Sequence, residues 1–260
     1  MAGITVALEQ AVQHMENGDY AAARALLEPL QREHPADDEI AVLLAEALSE
    51  TGQGRKALDL LQQRAAAADV SAEVIFALGD ELFACGDYMA ATDSYRRLLD
   101  NNDTCAEAHV RLGMVAMAGD ERARARACFE QALRCDAQTV SALNGLGELS
   151  AAEGDNTAAL SWFERAIAVD PDDPEAYANC AELCYDGGDD GAARKFADQA
   201  LALDERYAPA WLIRGYLALD ADDEQEARRC FEAFVCYENS SGAEDIIVEV
   251  KAVLAALSDG

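Results

Sequence analysis

The sequence predicts an all-α fold built from stacked helical hairpins. The chain repeats with a period of 34 residues, without an insertion or a deletion. Small side chains recur at two fixed positions of each repeat, and glycines recur where one helix must turn into the next. Small side chains allow two helices to cross closely, because a larger group would overpack the contact. With 51% apolar residues, the chain also has ample material for a core.

The residue pattern within each repeat predicts a helix A of about 14 residues, a short turn and a helix B. One such hairpin cannot bury its apolar face alone, whereas stacked neighbours bury a continuous core. We therefore divide the chain into repeats 1 to 7, followed by a carboxyl-terminal segment at 242–257. The repeats are 4–37, 38–71, 72–105, 106–139, 140–173, 174–207 and 208–241.

Two columns of the repeat carry small residues in every copy. Position 8 is Ala11, Ala45, Gly79, Gly113, Gly147, Ala181 and Gly215. Position 20 is Ala23, Ala57, Ala91, Ala125, Ala159, Ala193 and Ala227. Position 24 carries an aromatic ring in four repeats, namely Tyr95, Phe129, Phe163 and Phe231. The turn at position 15 carries Gly18, Gly52, Gly86, Gly154 and Gly188, where a left-handed backbone suits glycine.

These features resemble the tetratricopeptide repeat (TPR) family, whose period and motif the chain shares over residues 4–241. The resemblance implies a right-handed α-solenoid of seven TPR units. Repeat 1 departs from the pattern at Gln10, and repeat 2 departs at Gly54 and Arg64, where a bulky and a small residue are usual. Terminal repeats are often atypical, because one of their sides meets solvent.

The segment 242–257 changes period and predicts one further helix. Its apolar residues recur at helical spacing, as Ile246, Ile247, Val250, Val253, Leu254 and Leu257. We interpret this stripe as the inner face of a capping helix that covers repeat 7. The alternative is a helix that docks onto another protomer or a partner.

The formal charge of −30 bounds the choice of partner. Nucleic acid is excluded as a partner, because phosphate binding requires a basic footprint, and anionic membrane surfaces are disfavoured by the same repulsion. Two explanations of the acidity stay open. It can form a solvated shell, as in a protein from a salt-tolerant organism, or it can attract a basic partner.

Targeting features point to the cytoplasm. The amino terminus shows no basic segment followed by an apolar one, so no secretory signal is visible. The apolar runs are far shorter than the roughly 20 residues needed to span a bilayer, so membrane insertion is not expected. Eight cysteines without a signal indicate reduced thiols and a cytoplasmic location.

The residues give no support for catalysis, a cofactor or a bound metal. Cys180 and Cys184 share one face of a helix, a spacing that could present two metal ligands, but they occupy core positions of repeat 6. His109 takes a packing position. The aspartate clusters at 170–173 and 186–190 lie at turns and do not reproduce an EF-hand loop. We therefore predict a protein that is not an enzyme.

The resemblance supplies the remaining candidate site. In TPR proteins, the A helices line a concave groove that binds short peptides or partner helices. Carried over by position, the second, fifth, sixth, ninth and twelfth residues of each repeat are expected to face this groove. The candidate binding residues are Phe76, Asp80, Phe83, Val110, Arg111, Met114, Met117, Asn144, Glu148, Glu175, Asn179, Glu182, Tyr185 and Tyr216.

Two neighbouring sections of the groove differ in character. Phe76, Phe83, Met114 and Met117 are expected to form an apolar patch that adapts to varied ligands, because methionine repacks easily. Glu148, Glu175 and Glu182 make the next section acidic. A protein or peptide with an apolar stripe and a basic flank, such as an amphipathic helix, would match both. Alternatively, these side chains only support helix packing and solvation.

One specialisation of the family is not expected. Members that bind an acidic chaperone tail carry a clamp of lysine, asparagine and arginine residues on three successive A helices. This chain has Asn144 and Asn179 in adjacent repeats, but Glu148 replaces one asparagine of the clamp. Repeat 7 offers Pro209 and Ile213 in place of the basic pair.

The sequence therefore predicts a non-enzymatic scaffold, adaptor or chaperone that binds a protein partner in its groove. One alternative is self-assembly through the carboxyl-terminal helix or the convex face. Another is an accessory subunit of a separate enzyme or of a secretion or assembly machine. The identity of the partner and the oligomeric state stay open.

Overall fold

The computed structural model describes residues 2–100, 105–238 and 243–257, and these residues form helices and turns. The first eight helices are α1 Ala2–Glu16, α2 Tyr20–Glu33, α3 Asp38–Glu50, α4 Gly54–Ala65, α5 Ala72–Ala84, α6 Tyr88–Leu99, α7 Ala106–Ala118 and α8 Arg122–Cys135. The others are α9 Val140–Ala152, α10 Asn156–Val169, α11 Pro174–Asp186, α12 Asp190–Leu203, α13 Ala208–Asp220, α14 Glu224–Tyr237 and α15 Glu244–Ala256. The fold is an all-α solenoid of the TPR type, with α15 as its capping helix. In the described ranges, no helix is both long enough and apolar enough to cross a bilayer.

The chain divides into two compact units, 1–136 and 137–260. Unit 1 holds α1 to α8, and unit 2 holds α9 to α15. Within each unit, every helix packs against the next helix along the chain. We call the odd-numbered helices α1 to α13 A helices. Neighbouring A helices also pack against each other, as α1 does with α3, α3 with α5, α9 with α11 and α11 with α13. Each unit therefore presents a surface of adjacent A helices, the A-helix face.

A residue with a left-handed backbone conformation follows the end of each A helix from α1 to α13. The five glycines predicted at this turn all have positive φ, for example 75° at Gly18 and 81° at Gly154. Repeats 4 and 7 place Asp120 and Asp222 in the same conformation, with φ of 54° and 56°. Each turn is closed by a hydrogen bond back into the helix, such as the one from Asp155 N–H to the Ser150 carbonyl at 2.9 Å.

Some of the acidic residues cap the amino-terminal ends of helices. Seven aspartates accept a hydrogen bond from a backbone N–H in the first turn of the following helix, and so satisfy donors that have no partner within the helix. They are Asp19, Asp37, Asp87, Asp155, Asp173, Asp189 and Asp223. Two of them, Asp173 and Asp189, belong to the aspartate clusters at 170–173 and 186–190, which supports the interpretation of those clusters as helix caps.

The side chains at positions 8 and 24 of the same repeat contact each other, and their sizes are matched. The Cβ of an alanine in place of Gly147 would lie 2.2 Å from the ring of Phe163, and one in place of Gly79 would lie 2.4 Å from the ring of Tyr95. Gly113 and Gly215 face Phe129 and Phe231 in the same way. Where position 8 is alanine, position 24 is Leu27, Leu61 or Ala197. Each A helix therefore accommodates its B helix either with glycine against a ring or with alanine against a smaller aliphatic side chain.

The capping helix α15 packs against α14. Val250 is fully buried in a cluster that includes Phe231 and Phe234, and Ile247 and Val253 pack against it from α15. The stripe predicted for 242–257 therefore covers repeat 7. The opposite side of α15 leaves Val248 68% exposed.

Candidate functional site

The A-helix face of unit 1 contains a cavity of about 540 Å³ between α3 and α5. Val42, Phe76 and Ala77 contribute its apolar part. Its carboxylates are Glu46, Glu50, Glu73, Asp80 and Glu81. Burial raises the pKa of Glu46, and the neighbouring charge of Glu50 raises it further. The cavity thus combines an apolar floor with a negative potential.

Asp80 and Arg111, both candidate binding residues, interact with each other. The Arg111 Nε atom lies 3.0 Å from Asp80 Oδ1, and its Nη2 atom lies 3.2 Å from Glu107 Oε1. The Tyr95 hydroxyl donates a hydrogen bond of 2.6 Å to the same Asp80 oxygen. Burial, followed by this contact with Asp80, raises the pKa of Tyr95. These contacts tie α5, α6 and α7 together and neutralise the positive charge of Arg111.

The four residues of the predicted apolar patch are all half-buried and make separate contacts. Phe76 lies 6.4 Å from the Tyr95 ring, and Phe83 lies 5.4 Å from the ring of Tyr88. Met114 Sδ accepts a weak hydrogen bond of 3.7 Å from Arg111. Of the four, Phe76 lines the cavity of unit 1, together with residues of α3. The partners that the structure gives Phe76 and Phe83 lie on α6.

The A-helix face of unit 2 contains two adjoining cavities. The first, of about 290 Å³, is mostly apolar and is lined by Ala178, Asn179, Glu182, Tyr185, Asp186, Pro209, Leu212, Ile213, Tyr216, Phe234, Glu238, Ala243 and Ile246. The second, of about 310 Å³, is lined by Glu148, Ala151, Ala152, Phe163, Asn179, Glu182, Leu183 and Asp186. Because Asn179, Glu182 and Asp186 line both, the two cavities lie on either side of α11.

Two stacked tyrosines form one wall of the first cavity. The rings of Tyr185 and Tyr216 lie 6.1 Å apart with 17° between their planes. The Tyr185 hydroxyl donates a hydrogen bond of 2.8 Å to Asp220. Burial, followed by this contact with Asp220, raises the pKa of Tyr185 to about 12. Both rings are therefore held in place by the fold, and their hydroxyls stay protonated at neutral pH.

Glu148, Glu175 and Glu182, which we call the acidic cluster, lie close enough together for Glu175 and Glu182 to raise the pKa of Glu148. Burial, followed by the charges of Glu175 and Glu182, raises the pKa of Glu148 to about 7. Burial and Asp173 raise the pKa of Glu175, and burial and Asp186 raise that of Glu182. Glu148 and Glu182 remain exposed to solvent, whereas Glu175 is half-buried. Among the described residues, no arginine, lysine or histidine forms an ion pair with the cluster.

Replacing Glu148 with glutamine is expected to raise the melting temperature more at pH 8 than at pH 5. The pKa of Glu148 rises from an ordinary value of 4.5 to about 7 on folding. The stability that this carboxyl contributes is therefore fully present below about pH 4.5 and is lost as the pH rises through about 7. Glutamine does not ionise and avoids that loss. Thermal unfolding at both pH values measures the difference. Glu232→Gln, at an exposed site on α14, is the control, and an equal effect of Glu148→Gln at both pH values would contradict the expectation.

Two candidate residues, Val110 and Asn144, do not reach the surface. Val110 is 0% exposed and Asn144 is 1% exposed, so neither side chain presents itself to a ligand as expected. Position 5 of these repeats points against neighbouring helices, where removing valine from water stabilises the fold. Neither Oδ1 nor Nδ2 of Asn144 makes a hydrogen bond with a described residue. The amide nevertheless lies close enough to Glu175 to favour its ionised form.

Several residues of the unit 2 cavities were not among the candidates. Phe234 belongs to a B helix and Ile246 to α15, so a rule based on A-helix positions could not select them. Asp186 follows position 12 by one residue and lines both cavities. Its place in an acidic turn was visible in the sequence, but its contact with the A-helix face was not.

The cysteines have the properties of core side chains rather than of reactive thiols. Cys180 is buried in a cluster with Ala159 and Phe163, and burial raises its pKa to about 12. A reactive cysteine needs the opposite shift, toward the thiolate. The eight cysteines, all within the described ranges, form no disulfide with one another. Within the described ranges, no group of three histidine, cysteine, aspartate or glutamate side chains is placed to hold a metal ion.

Two family models described as tetratricopeptide repeat match the chain. One matches residues 76–121 and 111–174, and the other matches 14–75 and 150–212. Together the matches extend over residues 14–212, which is more than half of the chain. No curated protein is detectably similar to the chain in sequence.

Solved structures share the fold at low sequence identity. A tetratricopeptide repeat protein from Parabacteroides merdae is 18% identical, with a TM-score of 0.74, and the alignment covers 98% of this chain and 100% of that one. Cut9–Hcn1, an APC/C hetero-tetramer, is 14% identical with a TM-score of 0.69, over 92% of this chain and 48% of that one. Yeast Tom70 is 14% identical with a TM-score of 0.64, over 93% and 59%. The 34-residue period, the paired helices and the family matches agree, and the chain belongs to the tetratricopeptide repeat family.

Proposed function

We propose that the chain is a non-enzymatic adaptor that binds a peptide or an amphipathic helix with apolar and basic side chains on its A-helix faces. TPR domains in general are protein–protein interaction modules. The observation that carries the proposal is that carboxylates with no ion-pair partner among the described residues adjoin apolar cavities in both units. Phe76 lies beside Glu46 and Glu73 in unit 1, and Leu212 lies beside Glu182 in unit 2.

Charge complementarity favours a basic ligand over an acidic one. In unit 2, Arg214 pairs with Asp198 and with Glu226, 3.1 Å away, so it does not offset the acidic cluster. In unit 1, Asp80 and Glu107 already neutralise Arg111. An acidic ligand would add like charges to both faces, whereas a basic one would relieve the existing repulsion. We place this activity in the cytoplasm, on the basis of eight cysteines that form no disulfide with one another.

Self-assembly is the second candidate, and the outer side of α15 favours it. Val248 on that side is 68% exposed, which leaves a large aliphatic side chain open on the capping helix. Burying it against a second copy would remove apolar surface from water. Light scattering across protein concentrations distinguishes this candidate, because the mass of an assembling chain grows with concentration.

The test of the adaptor function is a selection of peptides from a random displayed library on the immobilised full chain. We expect the enriched peptides to combine apolar residues with arginine or lysine. We expect Glu182→Lys to weaken the binding of peptides that use the A-helix face of unit 2. We expect Met117→Glu to weaken the binding of peptides that use the A-helix face of unit 1. Glu232→Lys on the B helix α14 is the matched control, since it makes the same charge change at an exposed site away from the A helices.

Circular dichroism of each variant separates lost binding from lost folding. The proposal fails if the selection enriches no peptide, or if it enriches acidic peptides. It also fails if Glu232→Lys weakens binding as much as the two variants of the A-helix faces.

A further inference from the structure

The two cavities of unit 2 differ in chemistry, although they adjoin. The first is walled by Tyr185 and Tyr216 and by the aliphatic Leu212. The second is lined by Glu148, and the carboxylates of Glu182 and Asp186 on α11 lie between the two cavities. Because Asn179 lines both, a ligand group in one cavity lies next to a ligand group in the other. Apolar pockets with a few polar groups at one side are typical of binding sites that fix a ligand's orientation.

The carboxylates in and beside the second cavity are not neutralised by the described part of the protein. Glu175 and Glu182 act on Glu148, and Asp173 and Asp186 add further negative charge beside Glu175 and Glu182. Like charges held together by the fold repel one another, and the repulsion is relieved when a cation binds. The cavity therefore favours a positively charged group.

A buried amide nitrogen at the junction of the two cavities points independently to a missing partner. Asn179 Nδ2 is buried and makes no hydrogen bond with a described residue. The buried amide of Asn144, in contrast, already has the carboxylate of Glu175 beside it. Leaving a buried polar group unsatisfied costs about 1–3 kcal/mol, so such groups are uncommon. A polar ligand group that reorganises this cluster would supply the hydrogen bonds that the described residues lack.

The geometry favours an organic cation over a metal ion. No set of three carboxylate, histidine or cysteine side chains within the described ranges is close enough to hold a metal. A guanidinium or ammonium group on a long side chain can bridge carboxylates that are spread over two helices, because it carries several donors. The spacing of the cluster across α9 and α11 suits such a group.

We propose that the adjoining cavities of unit 2 form one bipartite site for a protein partner. The first takes an apolar side chain, and the second takes the arginine or lysine beside it. Glu148 and Glu182 accept the charge-assisted hydrogen bonds of the cation, and Asn179 contacts the ligand between the two groups. Leu212 and Tyr216 enclose the apolar side chain. This inference rests on the adaptor function proposed above and adds the place of the basic group and its neighbour.

Binding at this site is linked to protons. The titratable groups that face Glu148 are Glu175 and Glu182 on α11 and Tyr207 just before α13, and Asp186 of α11 lines the same cavity. Since the pKa of Glu148 is raised to about 7, much of this carboxyl is protonated at pH 6 in the free protein. A bound cation favours the ionised form, so binding releases a proton and affinity rises with pH. With this pKa, the ionised fraction changes about tenfold between pH 6 and pH 8.

The probe is the dipeptide N-acetyl-phenylalanyl-arginine amide, titrated into the full chain and followed by nuclear magnetic resonance. We expect shifts at Glu148, Asn179 and Leu212. Replacing the arginine with citrulline keeps its shape but removes the charge, and is expected to weaken binding about tenfold. Replacing the phenylalanine with alanine is expected to weaken it by a similar factor. These changes are made in the ligand and leave the fold of the protein intact.

Two protein variants complete the test. Glu148→Gln is expected to weaken the binding of the arginine dipeptide and to remove the rise in its affinity between pH 6 and pH 8. The same variant is expected to leave the binding of the citrulline dipeptide unchanged. Glu232→Gln is expected to change none of the three. The inference is overturned if citrulline binds as well as arginine, if the shifts fall outside the two cavities, or if calcium ions alone bind tightly at the same glutamates. The proposed adaptor function is still supported after these outcomes if selected peptides bind and if Met117→Glu weakens their binding. It is contradicted separately if the selection yields no peptide.

Discussion

Replacing Gly147 with alanine is expected to lower the free energy of unfolding by about 1–3 kcal/mol, although alanine is the better helix former. The added methyl group would lie 2.2 Å from the ring of Phe163, which is 2% exposed and cannot move into solvent. In an unconstrained helix interior, the same change stabilises by about 1 kcal/mol. The sign of the effect therefore reports the contact between α9 and α10, and chemical denaturation measures it.

A second substitution is expected to restore the stability. Phe163→Leu makes room for the methyl group and recreates the pairing of alanine with leucine found in Ala11 with Leu27 and in Ala45 with Leu61. The double variant is expected to be more stable than the sum of the two single changes predicts, because each single change alone leaves a clash or a cavity. Strict additivity of the two substitutions would show that the two positions do not form a matched pair.

Replacing Asp38 with asparagine is expected to cost about 3 kcal/mol of stability. Arg64 of α4 is 7% exposed and forms an ion pair with Asp38, the first residue of α3. The other Asp38 oxygen accepts a hydrogen bond of 2.6 Å from the Ser71 N–H, just before α5. Without the charge of Asp38, the buried guanidinium keeps only Asp69, at 3.2 Å and 80% exposed. Breaking a buried pair by neutralising one partner leaves an uncompensated charge, which is the source of the cost.

Two further variants test this explanation. Asp69→Asn removes the exposed partner of Arg64 and is expected to cost less than about 1 kcal/mol. Adding Arg64→Leu to Asp38→Asn is expected to recover most of the loss, because repeats 1 and 3 carry Leu30 and Leu98 at the same position. Asparagine at 38 can still accept the hydrogen bond from Ser71. If the double variant stays as unstable as Asp38→Asn alone, the unpaired charge is not the cause.

The sequence predicts the fold well because the repeat samples each structural position seven times. The alanine column and the turn glycines are visible without coordinates, since small size and positive φ restrict residue choice locally. The pairing of Gly147 with Phe163 joins two columns that are both visible, but the contact itself follows from the crossing of two helices. Arg64 departs visibly from its column, and only the structure identifies Asp38 as the reason.

The candidate site could be predicted less completely, because exposure depends on neighbouring helices. Glu148 and Glu182 fall on the A-helix face of unit 2, as their repeat positions imply. Val110 and Asn144 occupy an equivalent position in adjacent repeats, yet both are buried. The contributions of Phe234 and Ile246 come from a B helix and from the capping helix, which no position rule for A helices covers.

The matched pair of positions 8 and 24 lies inside a single repeat, with Gly147 and Phe163 sixteen residues apart. Duplication or deletion of a whole repeat therefore carries both partners, and the new copy arrives already fitted. A crossover between the two positions would instead join alanine to a ring, which clashes, or glycine to leucine, which leaves a void. The repeat is thus the shortest length of chain that can be copied without repacking. This provides a physical reason for a tandem array of seven repeats that keeps its length of 34 residues throughout.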